Sequence, residues 1–173
     1  LQKYGKKYEL DWLLLAALGY QESRLNQAMV SHAGAIGIMQ IKASTAAHAP
    51  ILIPNIQSTE NNVHAGAKYL RHLIDHYFQD SSIDSLNQAL FALAAYNAGP
   101  VRIHQLRKDA LAQGLDPNVW FDQVEVIAAK EIGRETVEYV SNIYKYYTSY
   151  LYLREYGRQS GKKLLSQNSS LYP

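Results

Sequence analysis

A chain of 173 residues, 47% hydrophobic and 18% charged, is long enough for one domain, because folding at this size buries roughly 70% of the surface that the unfolded chain exposes. The 17 Lys and Arg against 15 Asp and Glu give a balance that does not favour a nucleic-acid partner. The absence of cysteine excludes disulfides and thiolate metal sites, and no apolar run is long enough to span a bilayer.

The first residues, Leu1 to Glu9, are polar and mixed, unlike a signal peptide. Asp11 is placed to cap a helix that carries Leu14, Leu15, Leu18 and Tyr20 towards Glu22, with Asn26 marking its end. A loop follows in which Gly34 and Gly37 permit close backbone approach, and Met39-Gln40-Ile41 leads into a short helix near Ser44 to Ala49. Pro50 and Pro54 break that pattern. Ser58 or Thr59 opens the next helix, whose apolar stripe runs through Val63, Ala67, Leu70, Ile74 and Tyr77. Further helices are expected from about Ser85 to Tyr96, from Pro100 to Ala112, and from Glu135 to Tyr156, with Pro117 to Phe121 as a connecting segment. No alternating strand of useful length and no internal repeat is found. The expectation is a mostly α-helical domain over residues 1–157, followed by a polar, flexible tail over 158–173.

Chemistry concentrates at the end of the first apolar helix. Glu22 follows nine uncharged residues, Trp12 to Tyr20, so its carboxyl is expected where water is scarce. Desolvation disfavours the ionised form and raises the pKa, which suits a general acid at neutral pH. Two distant segments, Gly37-Ile38-Met39-Gln40 and Ala95-Tyr96-Asn97-Ala98-Gly99, supply polar and aromatic groups to surround it. His72 and His76 share a helix face, but without a third ligand no metal is assigned to them. Seven of the fourteen tyrosines fall between Tyr139 and Tyr156, and at helical spacing they are read as a packing face, Tyr139 excepted.

Five segments in order carry a family resemblance: Glu22-Ser23, Ser31 to Gln40, Asn62 to Leu70, Ala95 to Gly99, and Glu135 to Val140. Together they resemble the motif set of the soluble-lytic-transglycosylase catalytic domain over about residues 8–150. Gly114 to Phe121 further resembles the branch known as membrane-bound lytic transglycosylase F. The resemblance implies a lysozyme-like helical domain with little or no β structure. It implies cleavage of the β-1,4 bond between N-acetylmuramic acid and N-acetylglucosamine in peptidoglycan, leaving a 1,6-anhydromuramoyl product. Glu22 falls on the family's catalytic glutamate, acting first as acid and then as base.

Around Glu22 the same resemblance places substrate contacts. Ser23 and Ser31 offer hydroxyls to the carboxyl or the sugar, Gln40 pairs with an acetamido group, and Met39 forms an apolar wall. Tyr96 and Asn97 close the opposite side, with the phenol expected on the carboxylate or the sugar. Glu135 and Tyr139, four residues apart on one helical face, match the last motif. Two departures from the family pattern stand at Ile38, where leucine is usual, and Leu25, where an aromatic is common. Two other readings stay open: a muramidase using water with Glu135 or Glu60 as second carboxylate, and a silent peptidoglycan-binding module. The resemblance implies no cofactor and a periplasmic location, with membrane or outer-membrane attachment only through segments upstream of Leu1; a monomer is the expectation for oligomeric state.

Overall fold

A helix that is apolar on every side must lie inside a fold rather than on its surface, and two segments of this chain fit that description. The computed structural model describes residues 1–169, with side chains through Gly157; the expected tail, 158–173, lies outside the residues described in full. In chain order the elements are α1 (Gln2–Lys7), α2 (Trp12–Ser23), β1 (Ala35–Ile36), β2 (Ile41–Lys42) and α3 (Ala43–Ala47). There follow α4 (Thr59–Leu73), α5 (Ser85–Ala98), α6 (Pro100–Ala112), α7 (Glu125–Glu131) and α8 (Arg134–Ser169). The last helix thus continues past the end expected at Tyr156.

The two all-apolar helices form the centre. Residues Leu13 to Gly19 of α2 and Leu90 to Ala95 of α5 are all buried. Asp11 caps α2 as expected, its carboxylate accepting the Leu13 N–H at 2.9 Å, and Asp84 caps α5 through the Asn87 N–H at 2.8 Å. Helix α2 packs along α8, and α5 packs against α4, α6 and α8. Phe78, Phe91 and Trp120, all fully buried, meet ring to ring beside them at 5.7 and 5.9 Å. A second, smaller cluster of Ile41, Ala46, Ile51, Ile53, Ile56 and Ala65 lies under the segment that joins α2 to α4.

Two short helices escape sequence periodicity because tertiary contacts, not an amphipathic stripe, hold them. Helix α1 is fastened to α4 by Tyr4, whose hydroxyl donates to Glu60 at 2.9 Å, and by Tyr8, whose hydroxyl bonds His64 at 2.7 Å. Helix α7 follows a wide turn at Trp120–Val124, anchored where the Trp120 N–H donates to Asn87 Oδ1 at 2.8 Å. A second wide turn, Ile74–Phe78, ends α4 before the expected Tyr77.

The segment between α2 and α4 is built to hold one shape. Helix α2 stops at Ser23, three residues before the expected Asn26, because Arg24 and Leu25 both turn left-handed, at φ 56° and 62°. The chain then makes a two-residue hairpin in which Ala35 pairs with Lys42 and Ile36 with Ile41. Buried Asn62 of α4 pins it from below: its side chain accepts the Met39 N–H at 2.8 Å and donates to the Ile36 and Ile56 carbonyls at 2.7 and 3.2 Å. Such a fully satisfied buried amide locks the backbone it touches. Glycine is needed at the two closest approaches: a β-carbon on Gly37 would lie 2.5 Å from the Asn62 amide, and one on Gly66 would lie 2.5 Å from Met39 Cβ.

Gly66→Ala is therefore expected to lose about 1–3 kcal/mol of unfolding free energy through overpacking against Met39. Gly157→Ala, where a β-carbon meets nothing within 4 Å, should be neutral or gain about 0.5–1 kcal/mol from helix propensity. Urea unfolding of both variants checks the contrast; equal stability of the two would show that Met39 does not press on Gly66.

Candidate active site

Glu22 occupies the final turn of α2, and the left-handed pair after Ser23 turns the chain away so that the carboxyl faces a groove. The groove encloses about 590 Å³. One wall is made by the hairpin segment and α3, through Ser31, Gln40, Lys42 and Thr45. The other comes from Tyr69 of α4, Tyr96 and Asn97 of α5, and Glu135 at the start of α8. The hairpin segment, α3, α4, α5 and α8 thus meet around the one carboxyl at the end of α2.

The electrostatics follow from the position. Burial pushes the Glu22 carboxyl up to about 7, against a partial downward pull from the hydroxyl of Tyr139, which donates to its Oε1. The last turn of a helix also carries the negative end of its dipole, which acts in the direction of burial. Tyr139 on α8 is itself buried, and both its phenol and that of Tyr96 are held well above the ordinary tyrosine range by burial and by the nearby Glu22 carboxylate. Two neutral phenols and a carboxyl balanced near neutrality are thereby placed together.

Among the expected site residues, Glu22, Ser31, Gln40, Tyr96, Asn97 and Glu135 line the groove. Three sit differently from expectation. Ser23 is buried, and its hydroxyl donates to the Ile38 and Gly19 carbonyls at 3.0 and 3.3 Å while accepting the Asn26 N–H at 3.1 Å. It fastens the loop to α2. Met39 is fully buried against Gly66 rather than forming a wall. Its carbonyl does the positioning instead, accepting the Tyr96 hydroxyl at 2.8 Å. Tyr96 is therefore committed to the loop, and the phenol that reaches Glu22 is Tyr139.

The remaining partners fix the geometry of the groove. Gln40 has φ 42° and donates to the Gly37 and Met29 carbonyls at 2.8 and 3.2 Å, closing the hairpin on itself. The Ser31 hydroxyl accepts the Ala35 N–H at 3.0 Å. Asn97 accepts the hydroxyl of buried Thr136 at 2.8 Å, which ties the end of α5 to the start of α8. Tyr69, whose ring centroid lies 5.2 Å from that of Tyr96, and Lys42, Thr45, Asn62 and Thr136 are contributors that sequence reasoning did not single out. Tyr69 and Asn62 lie in the Asn62 to Leu70 segment and Thr136 in the Glu135 to Val140 segment, so for these three a signal is present in the sequence without a specific role.

Elsewhere, Glu60 does not reach the groove. It pairs with Lys3 and Tyr4, whose hydrogen bonds hold its carboxyl below the usual range, and this removes it as a second carboxylate. His72 and His76 stack ring on ring at 5.2 Å. Among the described residues no group of three or more His, Cys, Asp or Glu is arranged to hold a metal ion, and no helix is long and apolar enough to cross a membrane.

A helical domain with an acid recessed at a helix end, facing a hairpin across an open groove, is a lysozyme-like arrangement. The family model for the transglycosylase SLT domain matches residues 1–117, and the chain belongs to that family. Two relatives named membrane-bound lytic murein transglycosylase F are among those it resembles. The one from Pseudomonas fluorescens (strain Pf0-1) is 36% identical, over 83% of this chain and 32% of its own length. The one from Shewanella woodyi (strain ATCC 51908 / MS32) is 33% identical, over 99% of this chain and 38% of its own. The chain thus spans about a third of the length of these curated relatives. Among solved structures, the 70 kDa soluble lytic transglycosylase of Escherichia coli superposes with a TM-score of 0.61 at 25% identity, covering 88% of this chain and 24% of that one.

The raised Glu22 carboxyl makes stability depend on pH. The unfolded chain releases this proton near 4.5 and the folded chain near 7, so the folded state binds more protons between those values and loses stability as pH rises through the window. Glu22→Gln removes the effect. Thermal unfolding should find the variant and the parent close at pH 4 and the variant favoured by about 3 kcal/mol at pH 8; a gap that does not change with pH would contradict the assigned environment.

Proposed function

We propose that this chain is a peptidoglycan lytic transglycosylase domain in which Glu22 is the sole proton-transfer group. The observation that carries the reading is a carboxyl raised to about 7 and facing a groove, with a phenol donating to it. Protonated at neutral pH, Glu22 gives its proton to the glycosidic oxygen between N-acetylmuramic acid and N-acetylglucosamine as the C1–O bond breaks. The resulting carboxylate takes the proton of the C6 hydroxyl of the same muramoyl unit, and O6 closes on C1. The product is a 1,6-anhydro ring, and no water is consumed.

Most glycosidases need two carboxylates, whereas substrate-assisted enzymes manage with one. The 2-acetamido group of the muramoyl sugar can shield the charge that develops at C1. Ring closure within one sugar gains from proximity, for which effective molarities reach about 10⁵–10⁸ M. Tyr139 fits the second half of the cycle: a donor to Glu22 favours the ionised form that appears after bond cleavage. Gln40, Asn97, Ser31 and Glu135 supply polar contacts along the groove, and Tyr69 and Tyr96 supply aromatic walls. The names of the relatives, membrane-bound lytic murein transglycosylases, agree with murein as the substrate and with an envelope setting; a periplasmic location is part of the proposal.

Incubation with purified sacculi and mass spectrometry of the released fragments tests the reading. Anhydro fragments are expected, with release lost by at least about 100-fold in Glu22→Gln. Reducing-end fragments would instead support hydrolysis with Glu135 as second carboxylate, and release by the variant at the parental rate would remove Glu22 from the chemistry. The parental rate should fall tenfold per pH unit above about 7. Tyr139→Phe removes the donor to the ionised carboxyl, so its alkaline limb should move to higher pH; a limb that stays or moves lower would contradict the role given to Tyr139.

A further inference from the structure

The groove does not end at α5. Ala98 and Gly99, at the junction of α5 and α6, line both the catalytic groove and an adjoining open concavity of about 740 Å³. Gly99 has φ 89°, which a side chain would strain, and the space where a β-carbon would project is clear to 4 Å. The step between the two depressions is therefore low.

The concavity is formed by the outward face of α6. Ile103, Leu106 and Ala110 turn inward and are buried, leaving Arg102, His104 and Lys108 exposed around the depression. No carboxylate lines it. Neighbouring Arg107 provides the contrast. Its guanidinium lies 5.2 Å over the Phe91 ring and donates to the Pro117 carbonyl and Asn118 Oδ1, each at 2.7 Å, so folding accounts for its charge. Among the described residues, the side chains of Arg102 and Lys108 take part in no hydrogen bond or ion pair of the fold. Two cations and an imidazole are thus displayed together, continuous with a groove whose own carboxylates are Glu22 and Glu135.

Resting on the proposed function, we infer that this basic flank is a subsite for the stem peptide of peptidoglycan. Each muramoyl unit carries, through its lactyl ether, a peptide whose free carboxylates outnumber its amines. A glycan strand lying in the groove projects such stems sideways, and the stem nearest Gly99 meets Arg102 and Lys108. The sugars are then read by the groove and the acidic stem by α6. Exposed pairs of this kind each contribute modestly and weaken with salt, so the subsite tunes the choice of strand rather than creating affinity.

The test uses soluble uncross-linked glycan strands carrying stems, and the same strands stripped of stems by an amidase, both end-labelled and titrated by fluorescence anisotropy. The Glu22→Gln background is used so that binding is read without turnover, which separates failure of the catalytic assignment, seen in the release assay, from failure of the subsite. Stem-bearing strands should bind roughly fivefold tighter than stripped ones. Arg102→Gln with Lys108→Gln should erase that preference while leaving affinity for stripped strands unchanged. Equal affinity of the unmodified flank for both strands, or an equal loss on both in the double variant, would overturn the inference.

Discussion

The molecule has to keep one carboxyl half out of water without leaving it unpartnered, and the contact between Glu22 and Tyr139 is how it does so. For the proposed cycle, burial alone would favour the protonated form and a cationic partner the ionised one. A neutral phenol lies between those extremes. It favours the ionised state enough to leave the carboxyl near 7, yet its own burial keeps it from ionising in turn. Most of the architecture can be read as what is needed to bring the end of α2 against the second turn of α8 and hold it there.

That juxtaposition is supported in layers. Helix α2, apolar on every face, is fixed by the core and has no freedom to rotate Glu22 away. The hairpin wall is tied on three sides: to α2 by Ser23, to α4 by Asn62, and to α5 by the Tyr96 hydroxyl on the Met39 carbonyl. The start of α8 is tied to the end of α5 through Thr136 and Asn97. Polar residues that resemble substrate contacts in a linear sequence are thus partly structural, fixing the walls so that a few exposed groups keep their places.

The sequence made the helical framework readable wherever a helix carries its own signal. Asp11 and Ser58 cap helices in the local pattern, and Pro100 opens α6 where its fixed φ belongs. Helices α1 and α7 were not legible, because their stability comes from Tyr4, Tyr8 and Trp120 reaching distant elements. At the site, Glu22 could be found from the uncharged run that precedes it, since that run predicts desolvation. The partner phenol could not be chosen by the same means. Tyr96 and Tyr139 are both tyrosines in conspicuous segments, and only the path of the loop decides that one meets the Met39 carbonyl and the other the carboxyl. That the Ser23 and Met39 side chains are buried was not legible for a related reason: sequence gives a residue's proximity along the chain, but not which way its side chain points once two left-handed residues have turned the backbone.

The central claim can be measured at one atom. Selective carbon-13 labelling of glutamate side chains, with Glu22→Gln to assign the signal, allows the Glu22 carboxyl to be titrated directly by NMR in the absence of substrate. The Glu22 carboxyl should titrate with a midpoint near 7. A midpoint near 4.5, where a solvated glutamate titrates, would mean that the carboxyl is already ionised at neutral pH and cannot be the resting acid.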